Sequence, residues 1–286
     1  MNLLKNILEN LYEQRSIRYL QNDPLSFCHR YTDPLDQEIV GLLAASFAYG
    51  KVSSIMCSVE KILSAMVPTP RSFIESYDPR AELSVLHGFK HRFNDCRDLR
   101  ALFLALRTMF VEAGSVGAYF IRTYDEKTED MTKSINEFCS AVLRMDYSSV
   151  FGVSGIPQDS YFPFFFPSPS SGSACKRLCM FLRWMVRPSN GIDLGLWKEI
   201  TPAKLIIPVD AHIQRISRFL GFTARRNADW RMAREITTAL KAFDPADPVK
   251  YDFSLCHIGI SEGCTGNPGK ACRFCVLSDF CEVSRL

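Results

Sequence analysis

The sequence predicts an all-α protein on two observations. Apolar residues recur at intervals of three and four along most of the chain, which is the period of an amphipathic helix. Strand signals are nearly absent, because apolar runs such as residues 205–207 are too short and too isolated to build a sheet. With 286 residues, of which 47% are hydrophobic, the chain can form one large domain or two ordinary ones around a packed core.

The apolar period and the helix-ending residues give the elements in order. An amphipathic helix opens the chain at 3–11, and a helix that is apolar on most sides, and therefore buried, follows at 36–47. A third helix, 52–66, ends at a segment with two prolines, Val67-Pro68-Thr69-Pro70. The remaining helices are expected at 98–113, 115–123, 131–143, 174–186, 211–220, 230–243 and 248–260. Residues 150–169, rich in proline, serine and phenylalanine, are expected to form a loop.

The sequence also excludes several classes of protein. No apolar stretch approaches the roughly 20 residues of a bilayer-spanning helix, and residues 1–6 lack the basic segment and apolar run of an export signal. We therefore expect a soluble, cytoplasmic, monomeric protein with no membrane partner. The motifs of nucleotide hydrolysis, hydride transfer, serine hydrolysis and zinc proteolysis do not occur in the sequence.

Positive charge is concentrated in one part of the chain, although the formal net charge is only +3. Residues 1–150 carry 17 Lys and Arg against 19 Asp and Glu, whereas residues 171–234 carry 12 against 4. A basic segment of this kind is typical of a nucleic-acid-binding face. Charge alone does not distinguish such a face from a basic surface without a partner.

Four of the eleven cysteines lie in the last 23 residues. They are separated by seven, two and five residues, and they are Cys264, Cys272, Cys275 and Cys281. A Cys-x-x-Cys pair with two outlying thiolates supplies a four-sulfur ligand shell, which suits either zinc or a [4Fe–4S] cluster. The sequence therefore predicts a metal site, and the composition of that site leaves both metals open.

This ending resembles the cluster loop of helix-hairpin-helix DNA glycosylases of the endonuclease III type. In that family, cysteines separated by six, two and five residues ligate a [4Fe–4S] cluster, and the present chain has one residue more in the first interval. The resemblance implies a [4Fe–4S] cluster in preference to zinc. It also implies that Lys270 and Arg273, which lie within the loop, contact DNA phosphates.

A second stretch, residues 207–216, reads Ile-Pro-Val-Asp-Ala-His-Ile-Gln-Arg-Ile and is similar to the family's Val-Asp-Thr-His-Ile-x-Arg-Val. Taken alone, Asp210 is expected to cap the helix that follows it. The resemblance adds a compatible role, in which its carboxylate stabilises the positive charge that develops on the sugar as the base departs. Arg215 of the same stretch becomes a candidate DNA contact.

A third stretch, residues 171–176, reads Ser-Gly-Ser-Ala-Cys-Lys and resembles the family's hairpin Pro-Gly-Val-Gly-Arg-Lys, with Ala174 in place of the second glycine. Taken alone, Lys176 is an ordinary solvated lysine. The resemblance makes it the nucleophile that attacks C1′ of the sugar, and partial burial beside a neighbouring arginine would help it to lose its proton. The expected phosphate contacts of this stretch are Gly172, Ser173 and Arg177.

The chain departs from the family pattern in two places. Lys176 and Asp210 are 34 residues apart, nearly twice the usual spacing, so residues 186–202 are expected to form an extra loop or short helix. The family's wedge glutamine is missing, and Phe47 or Tyr49 could fill the gap left by an extruded base, with Tyr49 the preferred candidate because Phe47 is expected to lie in the core. The aromatic run 161–167 is expected to fill the core, with stacking on an extruded base as the alternative.

The resemblance implies a two-lobed architecture. Residues 36–204 would form a helical-barrel domain with the helix-hairpin-helix near 165–186. Residues 1–35 and 205–286 would form the domain that bears the cluster, with its loop at 264–281. The segment 68–169 is longer than in the family and is a candidate for an added contact to nucleic acid.

Together these features predict a base-excision repair enzyme of the nucleoid that binds double-stranded DNA. It would be a DNA glycosylase with AP-lyase activity, with Lys176 as nucleophile and Asp210 as its electrostatic partner. Its expected substrate is an oxidised base, and the similarity around Lys176 favours a purine over a pyrimidine. The alternative is a non-catalytic DNA-binding or damage-sensing protein that retains the scaffold and the metal site.

Overall fold

The computed structural model of the chain describes residues 2–14, 20–21, 23–81, 83–260, 262–267 and 269–282. Within these ranges the chain is mostly helical, which confirms the predicted fold class. The helices are α1 (Asn2–Gln14), α2 (Pro34–Ser46), α3 (Val52–Ser64), α4 (Pro70–Ser76), α5 (Cys96–Ala113), α6 (Val116–Ile121), α7 (Thr132–Leu143), α8 (Ser148–Phe151), α9 (Lys176–Val186), α10 (Ala211–Phe219), α11 (Trp230–Lys241) and α12 (Asp252–Ile260). A two-stranded antiparallel hairpin, β1 (Lys90–His91) and β2 (Asn94–Asp95), precedes α5.

Short polar side chains set where the helices begin. Asp33 accepts a hydrogen bond from Leu35 N at the start of α2, where Pro34 occupies a position that needs no N–H donor. Asp95 and Asp98 form a reciprocal capping box at the start of α5. Gly114 ends that helix with a φ of +82°, a left-handed conformation that glycine adopts without a steric penalty.

The core is built around α2, which is apolar on most of its faces. Residues 38–46 of this helix are all buried, and α2 packs against the 3₁₀ helix Pro24–Arg30, α9, α4 and α6. This outcome confirms the prediction that the second helix is buried. At Gly41, an added Cβ would lie 2.5 Å from Cε of Met185 and 3.2 Å from the Phe181 ring, so α2 and α9 are in close contact there.

The segment between α9 and α10 folds back on the end of α9. Leu194 N donates to the Trp184 carbonyl at 2.8 Å, and Trp197 N donates to the Met185 carbonyl at 2.9 Å. The Trp197 indole also donates to buried Glu38 of α2 at 2.7 Å. The segment is therefore an extra loop, as the sequence predicts, and its length is taken up without separating α9 from α10.

Buried ion pairs hold the same loop in place. Asp193 is fully buried and accepts from Arg183 Nε at 3.1 Å and from Arg187. Arg187 also pairs with Asp247 at 2.9 Å, and Arg183 pairs with Asp252 at the start of α12. One charge network therefore joins the end of α9, the loop after it and α12.

Two features of the fold differ from the sequence-based expectation. The helix α4 follows directly after the proline segment that ends α3, because Thr69 caps it and Pro70 suits its first turn. The hairpin β1–β2 was not expected, since two strands of two residues each are too short to give a periodic signal. None of the helices in the described ranges combines the length and hydrophobicity of a bilayer span. The division into two domains stays a prediction.

Candidate functional site

Lys176 and Asp210 lie on one cleft although 34 residues separate them in sequence. Lys176 is the first residue of α9, and Asp210 directly precedes α10. Both side chains line two adjoining cavities of about 420 Å³ and 570 Å³, and Tyr49 lines the same two cavities. The structure thus brings together the two residues predicted to be catalytic and the predicted wedge residue.

The two carboxylate oxygens of Asp210 have different partners. Its Oδ1 accepts from His212 N at 2.9 Å and from Ile213 N at 2.7 Å, which is the geometry of a helix cap. Its Oδ2 accepts from Sγ of Cys256 at 3.1 Å. The prediction that Asp210 caps the helix is therefore confirmed, and Oδ2 is the oxygen that is not used by the cap.

The floor of the cleft is formed by α12, which contributes Asp252 and Cys256. Burial is the main cause that raises the pKa of Asp252 to about 6, and the negative charge of Asp210 contributes to this rise. Its partner Arg183 acts in the opposite direction. Burial and the charges of Asp210 and Asp252 also raise the pKa of Cys256, while the charge of Lys176 acts on it in the opposite direction. Cys256 therefore stays a thiol that donates to Asp210, and Asp252 is held by its ion pair with Arg183.

The Arg177 side chain is bound to backbone carbonyls of the protein itself. It is buried and donates to the Ser46 carbonyl at 2.8 Å and to the Phe164 carbonyl. Its guanidinium also lies over the rings of Tyr49 and Phe164, 5.1 Å and 4.0 Å from their centroids. Burial lowers the pKa of Arg177 to about 10, which leaves it charged at neutral pH. With its donors turned to carbonyl oxygens, its position gives no support to the predicted phosphate contact.

The other predicted DNA contacts are distributed over separate places. Ser173 lines the cleft, whereas Gly172 is exposed, has a φ of +78° and lines a different cavity beside α11. Arg215 faces the terminal cysteine segment, where its Nη2 donates to the Cys264 carbonyl at 2.6 Å. Lys270 and Arg273 are exposed on the 3₁₀ helix Lys270–Phe274 of that segment. DNA contact by these residues stays a prediction.

The four terminal cysteines surround one cavity of about 420 Å³ between α10, α12 and the C-terminal segment. Burial raises the pKa of Cys275, and the nearby thiols of Cys264 and Cys281 add to that effect. The structure does not contain an assembled iron–sulfur site, however. Among the described residues, no three His, Cys, Asp or Glu side chains are close enough to share one metal ion.

Sequence reasoning missed the residues of α12 and their partner in α9. Asp252 and Cys256 are one helical turn apart on a helix that is otherwise strongly apolar, and both face the cleft. Polar residues at i and i+4 in an apolar helix are the signal that would have identified them. Arg183, which balances the charge of Asp252, gave no such signal because its partners are distant in sequence.

The cleft brings an amine and a carboxylate to the walls of the same cavities. Lys176 supplies the amine, and Asp210 supplies a carboxylate oxygen that the helix cap does not use. Tyr49 forms the rim, with its hydroxyl bound to the His91 carbonyl at 2.9 Å and to Asn94 Oδ1 at 2.6 Å.

Comparison with known proteins gives one family. No curated protein and no solved structure matches the chain. No helix-hairpin-helix glycosylase family matches it either, so the predicted membership of the endonuclease III-type superfamily is wrong. One family model does match the chain, over residues 23–261. The four terminal cysteines, on which the resemblance to glycosylases was first based, lie beyond those residues. That model is described as a protein of unknown function (DUF2400), and the chain, which it matches over most of its length, belongs to the DUF2400 family.

Proposed function

We propose that the protein removes a damaged base from DNA, with Lys176 as nucleophile and Asp210 as its electrostatic partner. The proposal rests on the cleft and not on membership of a glycosylase family. The observation that carries it is that a lysine and a helix-capping aspartate, 34 residues apart, line the same two cavities. The carboxylate of this aspartate is held in place by two backbone N–H groups, so no reorganisation is required when charge develops beside it.

The chemistry follows from these positions. In its neutral form, the Lys176 amine forms a bond to C1′ of the deoxyribose as the N-glycosidic bond breaks. The base leaves with the bonding electrons and takes up a proton from water. Asp210 stabilises the positive charge on the sugar. A proton then passes from the newly formed ammonium to the ring oxygen O4′, the C1′–O4′ bond breaks, and an iminium between Lys176 and C1′ results.

Borohydride trapping tests this proposal. The wild-type protein is expected to form a covalent adduct with a duplex that carries an oxidised base or an abasic site, and Lys176→Ala is expected to form none. Lys198→Ala is the matched control, because Lys198 is exposed and does not line the cleft. Binding of the same duplexes without an adduct, in all three proteins, would favour the non-catalytic DNA-binding alternative.

We further propose that the four-cysteine cavity holds a [4Fe–4S] cluster. A single zinc ion requires four sulfurs at about 2.3 Å from one point, whereas the four thiols here surround a cavity. A cluster takes one thiolate per iron, so its four ligands need not converge on one point. Cys264, Cys272, Cys275 and Cys281 would be the ligands, and the bond from Arg215 to the Cys264 carbonyl would fix the start of the loop.

Metal analysis after anaerobic purification tests the cofactor. The wild-type protein is expected to be brown and to contain about four irons per chain, and Cys272→Ser is expected to lose most of them. Cys57→Ser is the control, because Cys57 is an exposed cysteine of α3. A colourless protein with one zinc per chain would contradict the cluster and would leave the proposed reaction unaffected.

A further inference from the structure

An exposed group of aromatic rings borders the cleft. Phe93, Tyr161 and Phe164 expose 48%, 50% and 38% of their surface, and we call these three residues the aromatic ledge. Within the run 161–167, the other rings behave differently, since Phe162, Phe165 and Phe166 are buried in the core. The expectation that the run fills the core therefore holds for three rings and not for the two that reach the surface.

The ledge is ordered by ring-to-ring contacts. Phe93 and Tyr161 stack with centroids 5.5 Å apart and planes 24° apart, and Phe164 contacts Phe93 edge to face at 6.0 Å. Tyr49 stands behind the ledge, parallel to Phe93 within 4° and edge to face with Phe164. Because Tyr49 and Phe164 also line the Lys176–Asp210 cleft, the ledge continues directly from the cleft rim.

Phe93 lies in a tight hairpin turn whose backbone is strained. The pairing of His91 with Asn94 leaves only Arg92 and Phe93 in the hairpin loop. Arg92 adopts a φ of +53°, a conformation that tight hairpin loops normally give to glycine, asparagine or aspartate. Backbone strain of this kind occurs preferentially at functional sites. The turn exposes a large aromatic ring at its tip, where a polar residue would cost less.

Positive charge accompanies the rings. The Arg92 guanidinium lies 5.3 Å from the Phe93 ring centroid, and Lys51 and Lys90 are exposed nearby on the loop before α3 and on β1. Among the residues that the structure describes, these three cations form no ion pair. The acidic residues of this surface, Asp95 and Asp159, are paired with Arg97. Unpaired cations beside aromatic faces suit a strand that presents both phosphates and bases.

We propose that the aromatic ledge binds unpaired bases of the DNA strand that enters the Lys176–Asp210 cleft. The bases of a duplex are covered on both faces by their neighbours, so surface rings reach a base face only where pairing is interrupted. Three exposed rings are also more than one wedge into a duplex requires. The inference rests on the proposed function for the identity of the strand, and it makes a substrate with a single-stranded segment beside the damaged base the preferred one.

Binding to undamaged strands tests the ledge separately from the chemistry. Fluorescence anisotropy would compare a thymidine strand of about 15 nucleotides with a strand of equal length made of tetrahydrofuran spacers, which carry no bases and cannot react with an amine. The two strands carry equal charge, so their difference reports stacking alone. The wild-type protein is expected to bind the thymidine strand about tenfold more tightly, and Phe93→Leu is expected to remove most of that difference. Phe93→Trp should retain it, and Val111→Ala, at an exposed apolar site on α5, is the control.

The results of these binding measurements decide whether the aromatic ledge binds bases. Equal binding of both strands by the wild-type protein, or binding of neither, overturns it. An unchanged preference in Phe93→Leu also overturns it, and a change in sedimentation of that variant with unchanged DNA binding would assign the ledge to a protein contact. Lys176→Ala should keep the base-dependent binding. Failure of the wild-type protein to form a covalent adduct in the borohydride assay, together with intact binding to the ledge, would reject the proposed function alone.

Discussion

At the scale of single residues, Asp210 shows how one carboxylate can serve folding and chemistry. Oδ1 accepts both backbone N–H groups at the start of α10, so the cap does not depend on Oδ2. Oδ2 faces Cys256, whose raised pKa keeps it a neutral donor. The negative charge of Asp210 is therefore not neutralised by its partners in the cleft floor.

The substitution Asp210→Asn separates the two roles. The amide oxygen is expected to keep the cap, because asparagine is as good at this position as aspartate, so the melting temperature should change little. Base removal should fall by roughly a hundredfold or more, since preorganised charge of this kind contributes about 3 kcal/mol to lowering a barrier. Single-turnover excision and thermal melting would measure the two effects. Wild-type excision in a folded Asp210→Asn protein would show that Asp210 is only a cap.

His91 gives the hairpin a dependence on pH. Its Nε2 donates to the Tyr49 carbonyl at 2.9 Å, and its Nδ1 is hydrogen-bonded to the Ser58 hydroxyl at 2.8 Å, so a neutral ring has a partner for both nitrogens. Burial lowers the pKa of His91 below its ordinary value of 6.5, and the charges of Arg92 and Arg177 lower it further. The folded protein therefore resists a proton that the unfolded chain accepts.

The expected consequence is a loss of stability in acid. A depressed histidine pKa stabilises the fold above about pH 6.5, and this stabilisation is lost as the pH falls through and below that value. Between about pH 7.5 and pH 5.5, the melting temperature of the wild-type protein should fall further than that of His91→Gln. His87→Gln, at an exposed histidine three residues before β1 begins, should behave like the wild type. An equal fall in all three proteins would contradict the assignment to His91.

At the scale of elements, the loop between α9 and α10 is held against the end of α9 by hydrogen bonds and buried ion pairs. Asp193 of this loop is fully buried between Arg183 and Arg187 of the α9 end. Its removal would leave two buried guanidinium groups short of a counter-charge. Breaking a buried ion pair in this way typically costs about 3–5 kcal/mol.

Asp193→Ala is therefore expected to lower the free energy of unfolding by about that amount in urea titrations. The control is Asp159→Ala, which breaks the exposed pair with Arg97 and should change stability little. If the two variants proved equally stable, the charge network would not be what holds the loop against α9.

Most helices could be predicted from sequence, because their apolar period and their capping residues are local signals. The buried helix α2 and the cap at Asp210 are examples. The hairpin β1–β2 could not be predicted, since its stability comes from contacts of His91 and Asn94 with Tyr49, more than 40 residues away in sequence. Lys176 and Asp210 could be proposed as partners because each lies in a recognisable local motif, and the i, i+4 spacing of Asp252 and Cys256 was a signal that was overlooked. Arg183 could not be proposed, since its partner Asp252 is 69 residues away in sequence.

At the scale of the whole molecule, many of the basic side chains that the sequence concentrates in residues 171–234 are bound by other groups of the protein. Acidic side chains pair with Arg183, Arg187, Arg225 and Arg234, and carbonyl oxygens accept from Arg177, Lys204 and Arg215. The exposed cations that remain include Arg218, Arg226 and Arg231. The basic composition of this segment is therefore largely structural.

The neighbouring residues Arg225 and Arg226 allow the contribution of an exposed cation to DNA binding to be compared with that of an ion-paired one. Arg226 is exposed two residues from Ala228, which lines the cleft, whereas Arg225 is held by Asp229 at 2.8 Å. With duplex DNA, Arg226→Gln should reduce the slope of log affinity against log salt by about one, and Arg225→Gln should leave it unchanged. The same slope in Arg226→Gln as in the wild-type protein would place that residue outside the DNA face.

Arg177 has a consequence for the length of substrate that the protein can use. This single cation contacts the end of α2, the ring of Phe164 and the ring of Tyr49, and it directly follows Lys176 in sequence. A strand on the aromatic ledge and a sugar in the cleft would therefore be thermodynamically linked, each changing the affinity for the other by the same factor. Binding energy gained on the ledge would help to position the amine. An oligonucleotide too short to reach Phe93 would then react more slowly even at saturating concentration, although every group that touches its sugar is present.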